Sequence, residues 1–351
     1  MLPDLPTEPP MSDTPPPAAP RTAEAALLEN AIMEMKKVIV GQDRAIERLF
    51  VGLLARGHVL LEGVPGLAKT LAVETLATVV GGSFNRLQFT PDLLPSDLVG
   101  TRIFRSSTEQ FDIEWGPVFA NIILADEINR APAKVQSALL EVMAEHQVSI
   151  AGVTRAEPEP FLVLATQNPI ESEGVYPLPE APRDRFLMKI VVGYPTAAEE
   201  AQIVARMGVR APKAEQRLTL EELIGLQEAC DDVYVAPAVA DYAVRLVLAT
   251  REPAAYGLPE LDELISWGAS PRASLGLVAG GRALALLRGR SYVLPQDVFD
   301  IAPDVLRHRV VPSYEALAQG RSVEQVVARL LSTVHAPVVA PSQDPTAVAG
   351  R

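Results

Sequence analysis

"HVLLEGVPGLAKTLAVETLATVV", residues 58–80, decides the fold of this chain. An apolar run is followed by a glycine-bearing loop, "GVPGLAKT" (Gly63–Thr70), and then by the helical pattern "KTLAVETLATVV". A strand, a loop and a helix in this order are the setting that a phosphate-binding loop requires. The backbone N–H groups of such a loop and the helix N-terminus face an anion. An ordinary glycine-rich turn between strand and helix is the alternative interpretation.

The loop predicts a role for each of its residues. Lys69 would reach the β- and γ-phosphates of a nucleotide, and the Thr70 hydroxyl would bind Mg²⁺. Ala68 departs from the general pattern, which has glycine before the lysine. We expect Ala68 to have a negative φ, because a methyl group is readily tolerated only in that case. The residues assigned to binding the nucleotide cofactor, ATP, are Gly63, Val64, Pro65, Gly66, Leu67, Ala68, Lys69 and Thr70.

Short apolar runs alternate with helical patterns from Glu24 to about Tyr194, and after Tyr194 only helical patterns follow. Runs without polar alternation are typical of a parallel sheet buried on both faces. We predict an α/β domain (24–194) with a five-stranded parallel sheet, then an all-helical domain (195–335) without strands. The predicted strands are His58–Gly63, Phe84–Phe89, Asn121–Glu127, Pro160–Asn168 and Phe186–Val192.

Two stretches interrupt this alternation, and both ends of the chain differ from the rest. Gly100–Val118 and Val148–Phe161 carry apolar residues around a polar turn, so both are predicted hairpins. Residues 1–23 are rich in proline, and residues 336–351 are similar in composition. Such segments bury too little apolar surface to offset the entropy of ordering, so we predict a disordered N-terminal segment and a flexible tail.

The third predicted strand ends in two acids, Asp126 and Glu127, in "IILADEINR" (Ile122–Arg130). Ligands collect at the carboxyl ends of the strands in α/β sheets. Asp126 would hold the Mg²⁺ shell, and Glu127 would act as general base on the attacking water. Two solvated acids capping the next helix are the alternative, which explains one acid but not both.

Two further motifs carry polar residues with a candidate catalytic role. "LATQNP" ends the fourth strand at Asn168, whose neutral amide could orient water near a γ-phosphate. Asn-Pro is also a common turn opener. "GASPRAS" places Arg272 in the first turn of a helix, where a cation opposes the helix dipole. That placement suggests an arginine turned toward a nucleotide phosphate, and a surface arginine is the alternative.

The bulk composition narrows the class of protein. A net charge of −13 and a pI near 4.9 disfavour nucleic acid as a partner, since nucleic-acid binders usually carry a basic stripe. One cysteine, Cys230, excludes an internal disulfide and indicates a reducing compartment. We find no signal peptide and no apolar stretch of about 18 residues. We therefore expect a cytoplasmic protein with no membrane partner.

The motifs "GVPGLAKT", "LADEINRAPAKVQSALLEVM", "ATQNP", "YPLPEAPRDRF" and "GASPRAS" occur in an order that resembles the MoxR group of AAA+ ATPases. The resemblance runs from about Ile39 to about Val310, and "ADEINRAP" before "QSALLE" is more diagnostic than the phosphate loop. It implies an αβα P-loop ATPase core with a helical lid, assembled as a ring, commonly a hexamer. The predicted hairpins would be the insert in the second core helix and the hairpin before sensor 1.

The resemblance also implies residue roles. Ala68 is normal for the group, and Val40 and Gly41 in "VIVGQDRA" would contact adenine. The remaining roles are Walker A for Lys69 and Thr70, Walker B for Asp126 and Glu127, sensor 1 for Asn168 and sensor 2 for Arg272.

"PRDRF" (Pro182–Phe186) holds the expected arginine finger. Arg185 looks like the residue that reaches the γ-phosphate bound by a neighbouring subunit. The family usually has an uncharged pair before Asp-Arg-Phe, so Arg183 leaves open which arginine inserts. We prefer Arg185, because the apolar start of the fifth strand follows it and would fix its direction. Arg130 is a second interface candidate.

The function implied is ATP-driven remodelling, maturation or activation of a client protein complex, commonly with a partner that bears a von Willebrand A domain. A slow-turnover nucleotide-dependent switch or scaffold is the alternative. A small-molecule kinase would not need a lid of this size or an interface arginine.

Overall fold

The computed structural model describes residues 22–107, 109–169, 175–176, 178–208 and 211–338. Residues 1–21 and 339–351, which make up most of the two segments predicted to be disordered, lie outside the described residues.

The five predicted strands form one parallel sheet, which confirms the predicted fold class. Its order is β2-β5-β8-β1-β9, and β5 at the interior is buried at every residue. The strands of the α/β part are β1 (Val59–Glu62), β2 (Phe84–Gln88), β3 (Gly100–Arg105), β4 (Gln110–Trp115), β5 (Ile122–Asp126), β6 (Gln147–Ile150), β7 (Val153–Ala156), β8 (Leu162–Gln167) and β9 (Met188–Val191).

Helices cover both faces of this sheet. Helix α3 begins at Lys69 directly after the glycine-bearing loop, and it ends at Gly81, whose φ of 67° forms the left-handed cap that glycine favours. The helices of this part are α1 (Thr22–Val38), α2 (Asp43–Leu54), α3 (Lys69–Val80), α4 (Pro95–Val99), α5 (Ala133–Glu145) and α6 (Glu180–Arg183).

Both predicted hairpins are present. Strands β3 and β4 pair antiparallel, as do β6 and β7. The two hairpins lie side by side, since the Arg155 guanidinium of β7 stacks 4.3 Å from the centre of the Phe119 ring, which follows β4. They project from the sheet without joining it.

The rest of the chain is helical, and several helices begin as the sequence predicts. Thr196, Thr219 and Ser322 each cap a helix through a capping box. These helices are α7 (Ala197–Met207), α8 (Leu220–Asp231), α9 (Pro237–Leu248), α10 (Pro271–Leu287), α11 (Pro295–Leu306), α12 (Tyr314–Ala318) and α13 (Val323–Thr333).

The prediction of no strands after Tyr194 is wrong. Strand β10 (Ile265–Trp267) pairs antiparallel with β11 (Val311–Pro312). Each strand is two or three residues long, too short to show a periodicity. The pairing joins segments far apart in sequence, so it depends on how the helices between them pack.

The helical region and the α/β part share one hydrophobic core. A single cluster of buried side chains runs from α1, α2 and α3 into α8, α9, α10 and α11. A second cluster on the opposite face of the sheet lies under α4 and α5. Arg48 of α2 is 4% exposed and donates to the Asp304 carboxylate of α11 at 2.8 Å and to the Asp300 carbonyl at 2.9 Å. The helical region is therefore packed firmly against the sheet.

Candidate nucleotide site and arginine cluster

Because the five strands are parallel, their carboxyl ends all lie on one side of the sheet and their amino ends on the other. We call these two sides the carboxyl edge and the amino edge. The carboxyl edge, where the strands end, carries Glu62, Gln88, Asp126 and Gln167. The amino edge, where they begin, brings Leu187 beside His58, and the Leu187 N–H donates to the His58 carbonyl at 2.8 Å. The predicted site residues divide between these two edges.

The glycine-bearing loop leaves β1 at the carboxyl edge. A side chain at Gly63 would place its Cβ 2.7 Å from the Val192 carbonyl oxygen, so close backbone approach requires glycine there. Ala68 has a φ of 56°, so the expectation of a negative φ is wrong. The left-handed conformation costs a residue with a Cβ about 1–2 kcal/mol. Nonetheless it lets the loop turn directly into α3.

Lys69, the first residue of α3, folds back over this loop. Its ammonium group donates to the Gly63 carbonyl and lies 3.4 Å from the Val64 carbonyl and 3.5 Å from the Gln167 carbonyl. Because Gln167 ends β8, the lysine joins the loop to the neighbouring strand. The cation therefore lies where the loop backbone would face the phosphates of a nucleotide.

Asp126 is held in place from three sides. Arg86 of β2 donates to its Oδ2 through Nε at 3.0 Å and Nη2 at 2.7 Å, and Thr166 donates to Oδ1 at 2.6 Å. The Thr70 hydroxyl lies 3.5 Å from Oδ2. The sequence interpretation missed Arg86 and Thr166. A charged residue inside the second predicted strand was the available signal for Arg86.

Hydroxyl and carboxylate oxygens are the ligands that Mg²⁺ prefers. Thr70 and Asp126, which the sequence assigned to the metal, come together here, so the residues present fit the ion. When bound with the nucleotide, Mg²⁺ would neutralise charge on the phosphates.

Glu127 follows Asp126 in a left-handed conformation, with a φ of 56°. Its N–H donates to the Thr166 hydroxyl at 2.8 Å. Its carboxylate accepts from Gln88 at 2.9 Å and pairs with Arg130 at 3.3 Å. Arg130, the second interface candidate, therefore contacts the predicted general base of its own chain.

The other residues assigned to nucleotide binding lie nearby. Asn168 is buried directly after β8. Val40 is buried, and Gly41 has a φ of 67°. Gln42 fixes this segment to the sheet by donating to the Gly193 carbonyl at 2.9 Å. Gly193 follows Val192, whose carbonyl borders the loop, so the segment lies at the carboxyl edge.

Arg185 and Arg272 lie elsewhere, at the amino edge. Arg272 is in the first turn of α10, as the sequence predicts, and its Nη1 lies 3.5 Å from Oδ2 of Asp184. Arg185 is exposed, and its guanidinium donates to the Leu140 carbonyl of α5. Both arginines border a surface cavity of about 210 Å³.

Arg183 differs from Arg185 in exposure. It ends α6 and is half-buried, and its buried Nε has no hydrogen-bond partner among the described residues. Its positive charge is close enough to lower the pKa of the buried His308. Arg183 therefore faces into the molecule, whereas Arg185 faces outward.

The two groups of predicted site residues lie at opposite edges of the sheet. β1 has four residues, which at about 3.3 Å per residue span roughly 13 Å between the edges. Lys69 follows the carboxyl end of β1, whereas Arg185 lies beside its amino end.

Comparison with known proteins agrees with this geometry. Residues 58–188 match the ATPase family associated with various cellular activities (AAA), and residues 261–330 match the AAA lid domain. The chain is 62% identical to Chaperone MoxR1 of Mycobacterium tuberculosis, over 90% of this chain and 84% of that protein. The chain belongs to the MoxR family of AAA+ ATPases.

Other MoxR-like proteins extend the comparison. The chain is 43% identical to the uncharacterized protein YeaC of Bacillus subtilis, over 89% of this chain and 95% of that protein. It also resembles the crystal structure of a protein assigned as an ATPase in Cytophaga hutchinsonii. That structure has a TM-score of 0.85 at 45% identity, covering 91% of this chain and 97% of that one. Because residues 261–330 match the AAA lid domain, we call the helical region that contains them the lid below.

No helix among the described residues is both long enough and apolar enough to cross a membrane.

Proposed function

We propose that this chain hydrolyses ATP at sites formed between neighbouring copies of itself. The observation that carries the proposal is the division of the site residues. One edge of the sheet holds a phosphate loop, an Mg²⁺ pair and a general base, and the opposite edge exposes two arginines that have no phosphate to bind within their own chain. In a closed ring, the carboxyl edge of each copy would face the amino edge of the next copy.

At the carboxyl edge, each group of the chain has a separate role in binding or hydrolysing the nucleotide. The backbone of residues 63–68 and Lys69 bind the phosphates, and Val40 and Gly41 border the adenine. Thr70 and Asp126 hold Mg²⁺. Glu127 accepts a proton from the attacking water, which Asn168 helps to orient.

At the amino edge of the next subunit, Arg185 is the finger and Arg272 assists it. Arg185 is the better candidate than Arg183 because it is exposed, while Arg183 faces the lid. An arginine finger stabilises charge that develops on the transferred phosphoryl group and contributes about 10³–10⁵ in rate.

The ring, which we take to be a hexamer, would use this hydrolysis to remodel a client protein complex in the cytoplasm. Residues 24–194 would form the ATPase core and residues 195–335 the lid. A relative 62% identical that is named a chaperone supports the client. A partner with a von Willebrand A domain belongs to the same proposal.

The test compares steady-state ATP hydrolysis by the wild type and by Glu127→Gln. The variant keeps the phosphate loop and the Mg²⁺ pair, so we expect nucleotide affinity within about threefold of wild type and turnover reduced about 10²–10⁴-fold. Glu141→Gln, an exposed glutamate on α5, is the matched control and should hydrolyse ATP normally. Equal and negligible rates for wild type and Glu127→Gln would favour the slow-turnover switch.

A further inference from the structure

Arg309 of the lid donates several hydrogen bonds to the loop that bears Arg185. Its side chain is 2% exposed. Its Nε donates to Oδ1 of Asp184 at 2.8 Å, and its Nη2 donates to the backbone carbonyls of Asp184 at 3.1 Å and Phe186 at 2.5 Å. Its Nη1 donates to the Leu187 carbonyl at 2.9 Å and to the Val305 carbonyl at 2.6 Å.

These bonds use all five N–H donors of the guanidinium group. Four of them end on the backbone or carboxylate of Asp184, Phe186 and Leu187, the residues on either side of Arg185. Arginine is planar and its donors have a fixed geometry, so one side chain holds three backbone carbonyls on the two sides of Arg185, those of Asp184, Phe186 and Leu187.

Other lid groups hold the same loop. Ser270, the N-cap of α10, donates to Oδ2 of Asp184 at 2.7 Å. His308 lies 3.0 Å from the Phe186 carbonyl through Nε2. Burial and the nearby Arg309 lower the pKa of His308 well below its usual range, so the ring stays neutral and donates through Nε2. Asp184 thus accepts hydrogen bonds from two separate segments of the lid, at Ser270 and at Arg309.

Attachment of the lid alone does not account for Arg309. Arg48 of α2 already joins the α/β part to α11 through Asp304. The shared hydrophobic core joins the two parts as well. Four of the five hydrogen bonds of Arg309 end instead on Asp184, Phe186 and Leu187, which flank the candidate finger Arg185.

We propose that Arg309 is a positioning residue for Arg185, so that the lid of one subunit controls hydrolysis at the nucleotide of its neighbour. Asp184 is the charged group through which it acts. This role rests on the proposed function, since it assumes that Arg185 completes a site on another copy.

The test uses mixed assemblies of full-length chains. Arg309→Lys keeps the charge but loses the planar fork, and Asp184→Asn keeps the shape but loses the charge. Misplacing a catalytic group by 1 Å costs about 10²-fold, so each variant alone should lose about that factor in kcat. The KM for ATP should stay within about twofold of wild type, because the nucleotide pocket lies at the other edge.

Mixing with Lys69→Ala then separates positioning from folding. A Lys69→Ala subunit cannot use its own nucleotide but carries an intact lid and finger. Adding it to Arg309→Lys or to Asp184→Asn should restore turnover at least tenfold, because the donor supplies the correctly placed Arg185. A merely structural defect would not be rescued. Arg48→Lys, which also disturbs a buried lid contact, should keep kcat within about twofold.

The outcomes distinguish the two proposals. If Arg185→Ala mixed with Lys69→Ala gains no activity, the shared site fails and the role of Arg309 fails with it. If that mixture is active but the mixtures of Arg309→Lys and Asp184→Asn are not, or if both variants turn over normally alone, only the role of Arg309 is overturned. Should Arg309→Lys not fold, Asp184→Asn decides the question.

Discussion

The phosphate loop at the carboxyl edge of the sheet and the segment around Arg185 at the amino edge differ in how they are held. At the carboxyl edge, Ala68 and Glu127 have left-handed backbones, and two of the bonds of Lys69 are 3.4 Å or longer. At the amino edge, Asp184 accepts bonds of 2.7 and 2.8 Å from the lid, and Arg309 is buried. Arg185 and Arg272 are exposed beside this buried cluster.

This difference has a physical reason. A phosphate loop must exchange its internal contacts for those of a nucleotide, so weak bonds and local strain at the carboxyl edge cost little to replace. A finger that serves another subunit must point in one direction before that subunit arrives, since ordering it at the moment of reaction would raise the barrier. At the amino edge the residues on either side of Arg185 are accordingly held by short hydrogen bonds to buried lid groups.

The largest expected effect comes from removing the outward charge. Arg185→Ala should lower ATP turnover about 10³–10⁵-fold, equivalent to roughly 4–7 kcal/mol of barrier. Nucleotide affinity should change little, because the loop is at the other edge. Steady-state hydrolysis and equilibrium binding of a labelled nucleotide measure the two quantities.

The matched control is Arg56→Ala. Arg56 lies beside the amino end of β1 and forms an exposed pair with Asp231 at 2.7 Å. Exposed pairs contribute at most about 1 kcal/mol, so turnover should stay near wild type. If Arg185→Ala kept wild-type turnover in an assembled ring, the two edges would not form one site and the comparison would break.

A prediction of intermediate size concerns protein stability and tests whether water reaches buried groups at the amino edge. Glu157 lies before β8, and both its carboxylate oxygens are buried with no hydrogen-bond partner among the described residues. Burial raises its pKa to about 7, although nearby Arg155 acts in the opposite direction. The folded protein therefore holds the Glu157 proton more tightly than the unfolded chain does.

Glu157→Gln should remove this penalty. A raised pKa means that Glu157 costs nothing below about pH 4.5, and that its cost grows as the pH rises toward 7 and is constant above. At pH 8 the variant should be more stable by on the order of 1 kcal/mol, with no difference at pH 4. Urea unfolding at both pH values, beside the exposed Glu145→Gln, checks this. Equal stabilities at pH 8 would show that water reaches this part of the amino edge.

The smallest expected effect concerns strain at the carboxyl edge. Ala68→Gly removes a methyl group from a left-handed residue, and should stabilise the fold by roughly 0.5 kcal/mol after the added entropy of the unfolded chain is counted. Ala72→Gly, one turn later in α3, should instead destabilise by about 1 kcal/mol. Urea midpoints of both variants give the signs. A loss of stability in Ala68→Gly would mean that the loop holds no relievable strain.

Particular residues show how far the sequence could be interpreted. The pattern of residues 58–80 predicts the first strand, the loop and α3, because apolar runs and a glycine-bearing turn are local signals. Lys69, Thr70 and Asp126 follow from the same kind of signal, and the structure brings them to one edge. The left-handed Ala68 could not be predicted, since its φ is set by the path that the chain must take into α3.

Other features were out of reach because they join segments distant in sequence. Arg86 reaches Asp126 across 40 positions, and Arg309 reaches Asp184 across 125. Nothing in "RHRVV" (Arg307–Val311) indicates that its second arginine supports a finger. The strands β10 and β11 were missed for the same reason.

The sequence by itself determined the class of the fold and predicted the nucleotide-binding residues, because spacing along a strand and a helix fixes which residues share an end. The expectation of an arginine finger at Arg185 came from the family resemblance. Only the tertiary structure decided that Arg185 is exposed while Arg183 faces inward. It also decided that Arg272 lies near Arg185 rather than at the phosphate loop, and that lid side chains bond the residues on either side of Arg185. The physical reason is that direction and burial depend on packing between distant segments, which local pattern does not encode.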